Sequence, residues 1–290
     1  MKSAPLSLAA VLLCSLLTAC ISESTPLAGS TPPPGEDLAP PLAQAHAHND
    51  YEHARPLLDA LDEGFMSVEA DVWVAPLGDS LYVSHNVLDI RADRELRALY
   101  LDPLLERFER YGAIYPGQQR PFQLLVDFKT AADSTWAALE ATLADYAPML
   151  SVFDQGVVTP GAVEVVISGN RPTATLVAAT RRLAFIDGRL SDFDAPPPST
   201  LVPLISDNWS NQFSWRGEGA MSTEESTRLD EIMTMARAGG YRIRFWETPD
   251  EAGGARTALW TRLYDAGVDH LNSDDLAGLA AFLREREDRQ

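Results

Sequence analysis

Short apolar runs alternate along the chain with longer stretches whose apolar positions recur every three or four residues. The short runs, at 42–46, 66–74, 123–128, 163–168, 183–186, 201–205, 241–245 and 268–271, predict strands. Between them the 3.6-residue period predicts helices over 55–61, 101–111, 134–146, 173–181, 223–238, 251–265 and 276–284. A further run at 81–85 predicts a short extra strand paired with the second. Eight strands with intervening helices in one unit predict an α/β fold of the TIM-type (β/α)8 barrel class rather than a doubly wound sheet. No glycine-rich phosphate loop of Rossmann or P-loop spacing follows any of these runs, which weighs further against the doubly wound alternative.

The N-terminal segment departs from this alternation. Lys2 precedes an apolar stretch at 11–17 and then small residues, the layout of a secretory signal too short to span a membrane. Leu17-Thr18-Ala19-Cys20 is similar to the bacterial lipobox, whose cysteine is acylated and becomes the new N-terminus. Residues 21–41 are rich in proline, serine, threonine and glycine and predict a semi-extended tether. The expected division is therefore a lipoprotein signal at 1–20, a tether at 21–41 and a barrel at 42–290. On this reading the protein is exported and anchored through lipid on Cys20 to the cell envelope. Ile21 after the cysteine, rather than aspartate, points to the outer membrane if the host is Gram-negative. The only other cysteine, Cys14, falls within the signal, so the mature chain would hold no disulfide.

Composition changes the picture in two ways. A net charge of −19 argues against nucleic acid as a partner, because phosphate backbones are held by basic stripes. The chain also has 21 arginines and only two lysines, yet one of those two, Lys129, directly follows the third predicted strand run. A compact ammonium group suits a confined site better than a solvated surface.

The candidate chemistry collects where a barrel keeps its active site, at the C-terminal ends of strands. Four of the five histidines fall between His46 and His85. Glu69 and Asp71, two apart on one strand, face the same side. Two neighbouring carboxylates in a barrel interior are costly unless a cation or a proton neutralises them. Asp127 on the next strand supplies a third, and three carboxylates suit one hard divalent cation, Mg²⁺ or Ca²⁺. The alternative is that one acid faces the barrel and the other pairs with an arginine. His48 and His85 suit general acid and base roles on opposite sides of a phosphate. His46 shares a face with His48 and either contacts substrate or orients its neighbour. His53 reads as a surface or capping residue and His270 as structural. The His46-Ala47-His48 pair also opens metal-hydrolase patterns of the amidohydrolase type, but those need histidines from later strands, and none stands between Asn86 and Asp269.

Taken in order, His48-Asn49, Glu69-x-Asp71, His85 and Asp127-x-Lys129 resemble the superfamily of glycerophosphodiester phosphodiesterases and phosphatidylinositol-specific phospholipases C. Residues Leu125-Val126-Asp127-Phe128-Lys129-Thr130 are similar to the matching strand of the spider-venom sphingomyelinase D branch. His46-Ala47-His48-Asn49-Asp50-Tyr51, with Arg55-Pro56-Leu57, resembles an uncharacterised bacterial and fungal branch. The resemblance covers most of residues 44–275 and is strongest over 46–130. It implies a TIM-type barrel, one divalent cation on Glu69, Asp71 and Asp127, His48 and His85 as the catalytic pair, and Lys129 beside the phosphate. It implies Trp246 as a pocket wall, with His46, Asn49, Asn170 and Arg171 as weaker substrate contacts. Two departures stand out. Glycerophosphodiesterases carry His-Arg-Gly where this chain has His48-Asn49-Asp50, and Arg171 is a candidate replacement for the absent arginine. The family's third acid is often glutamate, and here it is Asp127. The 21-residue spacing to Glu69 favours His48 over His46 as the first catalytic histidine. The implied activity is metal-dependent hydrolysis of a phosphodiester or phospholipid head group, by direct attack of water or through a cyclic product. The competing reading is a non-catalytic lipoprotein that binds a phosphorylated ligand.

Overall fold

The computed structural model describes Met1 and residues 38–74 and 80–289. The expected signal, Cys20 and nearly all of the expected tether lie outside the described residues. Eight parallel strands form the barrel: β1 (Leu42–Ala47), β2 (Phe65–Val74), β3 (Phe122–Phe128), β4 (Val163–Gly169), β5 (Ala184–Gly188), β6 (Leu204–Asn208), β7 (Arg242–Trp246) and β8 (Leu271–Ser273). Each pairs with its neighbour in sequence from β1 through β7, and β8 returns to pair with β1. One isolated parallel bridge, Arg244 to His270, spans the last seam, so the barrel is nearly closed. This singly wound order distinguishes the fold from a doubly wound sheet, whose strand order reverses at a switch point.

All eight predicted strand runs contribute to the barrel, and Leu81–Val83 pairs antiparallel with the end of β2 as expected. Two strands begin about three residues later than their apolar runs. Before β6, Pro203 has no N–H to give a ladder. Before β8, the Asp269 carboxylate accepts the Ile243 N–H that a neighbouring strand carbonyl would otherwise take. The predicted helices are present with shifted ends, the longest being Thr223–Gly239, capped by the Ser222 side chain at its start and Gly240 at its end.

A three-stranded antiparallel sheet, Val152–Asp154 with Val157–Thr159 and Arg181–Arg182, was not legible in the pattern. Its hairpin turns on Gln155 and Gly156, both at positive φ, the backbone that a two-residue hairpin turn demands. Phe153 and Val158 of this sheet pack against Leu125, Val166, Phe185 and Leu204. Those four residues alternate inward on β3 to β6, apart from the main core between barrel and helices. The small sheet therefore stops the barrel at the end where the strands begin. Arg182 reinforces the seal, its guanidinium 3.7 Å from the centre of the Phe153 ring.

The other half of the interior is polar. His46 Nδ1 lies 2.7 Å from Ser67 Oγ, Gln123 donates to the same hydroxyl, and the His46 and His270 rings sit 5.9 Å apart. These groups underlie the open end of the barrel, where the strands finish.

Candidate active site

Register brings the acids together before any side-chain detail. Asp71 on β2 pairs with Asp127 on β3, and Asp127 with Ser168 on β4. Glu69, two residues before Asp71, shares its face. A cavity of about 230 Å³ opens over them, lined by His48, Asn49, Glu69, Asp71, His85, Asp127, Lys129, Ser168, Arg189, Ser206, Arg244 and Trp246. The structure thus gathers into one place the two candidate catalytic histidines, the three acids, Lys129, Asn49 and Trp246.

Three of the sequence candidates are not among its lining residues. His46 is fully buried beneath it, held by Ser67 and lying 3.5 Å from Glu69. Burial first, and then the nearby Arg244 charge, push His46 down to about 3, so it is a neutral support under the floor. Asn170 turns away to donate to the Thr130 carbonyl. Arg171 donates to the Asp187 backbone carbonyl, and the arginines that line the cavity are instead Arg189 and Arg244. Arg189 directly follows β5, and Arg244 stands at the middle of β7.

Glu69, Asp71 and Asp127 each offer an oxygen within 4.8 Å of the others. Lys129 Nζ bridges two of them, 3.1 Å from Asp71 Oδ2 and 3.1 Å from Asp127 Oδ1. Arg244 Nη2 donates to Glu69. Burial raises all three carboxyls, and their neighbours then separate them. Around Glu69, Arg244 and His46 overcome burial and hold the group below the usual carboxylate range. Asp71 is pushed up to about 6, by burial first and then by the Glu69 charge, against the pull of Lys129 and a Tyr51 hydrogen bond. Asp127 also rises, through burial, with Lys129 opposing and Glu69 adding to the shift. Burial would lower Lys129, but the Asp71 and Asp127 charges hold it above its ordinary value. Asp71 Oδ1 is buried and has no hydrogen-bond partner. A buried orphan oxygen amid three hard donors is what a Mg²⁺- or Ca²⁺-sized ion would satisfy, so the donor set fits such a cation.

Both histidines are tied at the same ring nitrogen. His48 Nδ1 lies 2.8 Å from Asp274 Oδ1, and the Asn49 amide converges on that oxygen at 3.5 Å. Asp274 is itself fixed by its backbone N–H to Asp250, whose other oxygen accepts from Ser273. His85 Nδ1 lies 3.2 Å from Asp71 Oδ2 and 3.0 Å from the Tyr51 hydroxyl. Hydrogen on Nδ1 facing these carboxylates would leave each Nε2 for proton transfer, while the Asn49 amide nitrogen also lies 3.0 Å from His48 Nδ1. The Tyr51 hydroxyl also lies 2.7 Å from Asp71 and 2.7 Å from Asn49, so this one group joins the surroundings of both histidines. Asn49 takes a left-handed backbone at φ 46, and Glu247, just past Trp246, does the same at φ 56. Such conformations collect at functional rims.

The far wall is organised by Asp187. This fully buried carboxylate accepts from Ser168 at 2.7 Å, Ser206 at 2.6 Å and Arg189 at 2.7 Å. It thereby fixes three of the lining residues that the sequence did not single out. Ser168 and Ser206 carry no pattern that marks them. Arg244 was reachable, since it stands two residues before Trp246 and shares its face.

A family model described as an AIM6-like phosphodiesterase domain matches residues 37–187, and a glycerophosphoryl diester phosphodiesterase family model matches 242–277. A protein of Eremothecium gossypii named "Altered inheritance of mitochondria protein 6" is 31% identical over 283 residues, spanning 84% of this chain and 70% of its own. A homologue of that name from Arthroderma benhamiae is 27% identical, covering 80% of this chain and 81% of its own. Among solved structures, a glycerophosphoryl diester phosphodiesterase from Parabacteroides distasonis aligns with a TM-score of 0.53 at 11% identity. It covers 87% of this chain and 88% of that one, and shares the barrel fold. The fungal relatives overturn the expectation of a bacterial envelope lipoprotein anchored through Cys20. The lipid-anchor part of that expectation rested on four residues at 17–20, a pattern short enough to arise by chance after an apolar stretch.

Proposed function

Because the chain belongs to the AIM6-like phosphodiesterase family, we propose that it is a cation-dependent phosphoric diester hydrolase working by histidine acid–base catalysis. The observation that carries this is the pairing of two histidines, each anchored through Nδ1 to a carboxylate, around one three-acid cluster in a single cavity.

A divalent cation on Glu69, Asp71 and Asp127 would supply Lewis-acid neutralisation of phosphate charge. The protein's own groups supply the rest. Lys129 and Arg189 add fixed positive charge where the non-bridging oxygens gather negative charge. One histidine Nε2 takes the proton from the attacking water, or from a neighbouring substrate hydroxyl. The other, starting as the imidazolium with hydrogen on both ring nitrogens, gives its Nε2 proton to the departing alkoxide as the P–O bond breaks. Asp274 and Asp71 lie on the Nδ1 side of the two rings, which leaves Nε2 of each free for these transfers. A cavity of about 230 Å³ suits a small head group rather than a polymer segment.

The test is turnover of bis(p-nitrophenyl) phosphate and a panel of small phosphodiesters with EDTA, Mg²⁺ or Ca²⁺. Turnover restored by metal and lost in both His48→Ala and Glu69→Ala would support the reading. Folded protein without turnover on any diester would make this a binding protein for a phosphorylated ligand. Turnover that survives both substitutions would mean the site lies elsewhere.

A further inference from the structure

We propose that Arg244 is the counterion of Glu69 in the cation-free protein and competes directly with the divalent cation for it. When the cation takes Glu69, the guanidinium is released to a phosphodiester oxygen of the substrate. This rests on the cation reading of the acid cluster.

Arg244 on β7 reaches Glu69 on β2 past the two intervening strands, β8 and β1. Its Nη2 donates to Glu69 Oε2, and its Nε donates to Asn272 Oδ1 at 2.8 Å. Arg244 is 3% exposed and Glu69 6%. A carboxylate this deeply buried needs a positive partner. Lys129 meets that need for Asp71 and Asp127, and Arg244 meets it for Glu69. The three acids thus already hold two positive charges by direct contact.

A divalent ion added to that arrangement leaves the cluster with one surplus positive charge in a confined space. Arg244 and His46 both lie at Glu69 Oε2, so the guanidinium occupies one of the two oxygens that Glu69 can offer a cation. Asn272 anchors Arg244 through Nε, away from Glu69, and the side chain lines the cavity alongside Arg189. Once displaced, its Nη groups remain within that cavity, tethered by Asn272. A phosphodiester carries one negative charge, which offsets the surplus. Cation and phosphodiester therefore bind with positive coupling, and Arg244 supplies the phosphate contact that the chain lacks at Asn49.

Calorimetric titration of Mg²⁺ and Ca²⁺ into the metal-stripped full chain tests this, alongside thermal unfolding with and without cation. Arg244→Met should bind cation about tenfold more tightly and show a larger cation-induced rise in Tm, with Arg244→Lys between it and the parent. Arg189→Met removes equal charge from the same cavity without a contact to the acids, and should change cation affinity much less. Unchanged or weaker cation binding by Arg244→Met overturns the proposal. So does an Arg189→Met gain of equal size, or an Arg244→Met protein that stays unfolded at millimolar cation. Asp71→Asn separates the two levels. Parent binding that Asp71→Asn abolishes, with no gain in Arg244→Met, removes this inference alone. Absence of cation binding by the folded parent removes the cation reading and this inference with it.

Discussion

His48 Nδ1 and Asp274 Oδ1 meet at 2.8 Å although 226 residues separate them in the chain. The contact exists because β8 returns to pair with β1, in a register that puts His46 beside Asn272 and Ala47 beside Ser273. Barrel closure and the orientation of the first histidine are therefore one event. Asp274→Ala should leave the fold intact, since Asp274 is half exposed, and lower kcat by about 10²-fold with a smaller change in KM. His48→Ala should cost at least as much. A loss confined to KM would show that Asp274 binds substrate and does not orient the imidazole.

Tyr51 makes a similar prediction on the other side of the cavity. Tyr51→Phe keeps the ring that stacks on His85, with centroids 6.4 Å apart, and deletes only the hydroxyl. Asp71, Asn49 and His85 each lose a neighbour. Stability should fall by about 1–2 kcal/mol and kcat by about tenfold, read by chemical denaturation and steady-state kinetics. An unchanged kcat would reduce Tyr51 to a packing residue.

Gly169 is required where it stands. Its φ is +64, and an added Cβ would lie 2.3 Å from Asp127 Oδ1 and 2.6 Å from the Phe128 carbonyl oxygen. Gly169→Ala should cost about 1–3 kcal/mol and displace Asp127. Calorimetry should show cation affinity falling together with stability. Weaker stability with unaltered affinity would show that Asp127 is not a ligand.

Asp50 gives the pH prediction. It is fully buried, accepts the Leu57 N–H at 2.6 Å, and is pushed up to about 7 chiefly by burial. A carboxyl raised in the fold binds protons that the unfolded chain has lost. Its contribution to stability is therefore greatest in acid and declines as pH rises from about 4 to about 7. Asp50→Asn mimics the protonated form and keeps an acceptor for Leu57. Denaturation midpoints of parent and variant should lie close at pH 4 and separate by pH 8, with the variant the more stable. A gap that does not widen with pH would mean Asp50 is not the group responsible.

The residues that were legible in the sequence share a physical origin. Strands covered on both faces read as continuous apolar runs, so the eight barrel strands stood out, and polar groups at their ends were conspicuous by contrast. His48, Glu69, Asp71, His85, Asp127 and Lys129 were found for that reason, and the cavity gathers all six. Arg189 was hidden among 21 arginines, because a charge has no periodicity and only the fold shows which one turns inward, whereas Arg244 could have been found from Trp246, two residues on. Arg171 looked the better candidate from its position after a strand, yet it serves the Asp187 backbone. The small sheet escaped notice because its strands are two or three residues long, and its job is set by what it covers. Cys20 illustrates the reverse error, a short local pattern read without any relative to weigh it against.

The stopper of Phe153 and Val158 under the barrel has a consequence for traffic. With that end closed, a phosphodiesterase working in this cavity would have one doorway for substrate, water and both products. The alcohol and the phosphate product would then leave by the route that fresh substrate uses, and occupancy by either would block the next entry. His85, its side chain 56% exposed, stands on the solvent side of that doorway, and His48, at 26%, stands further in.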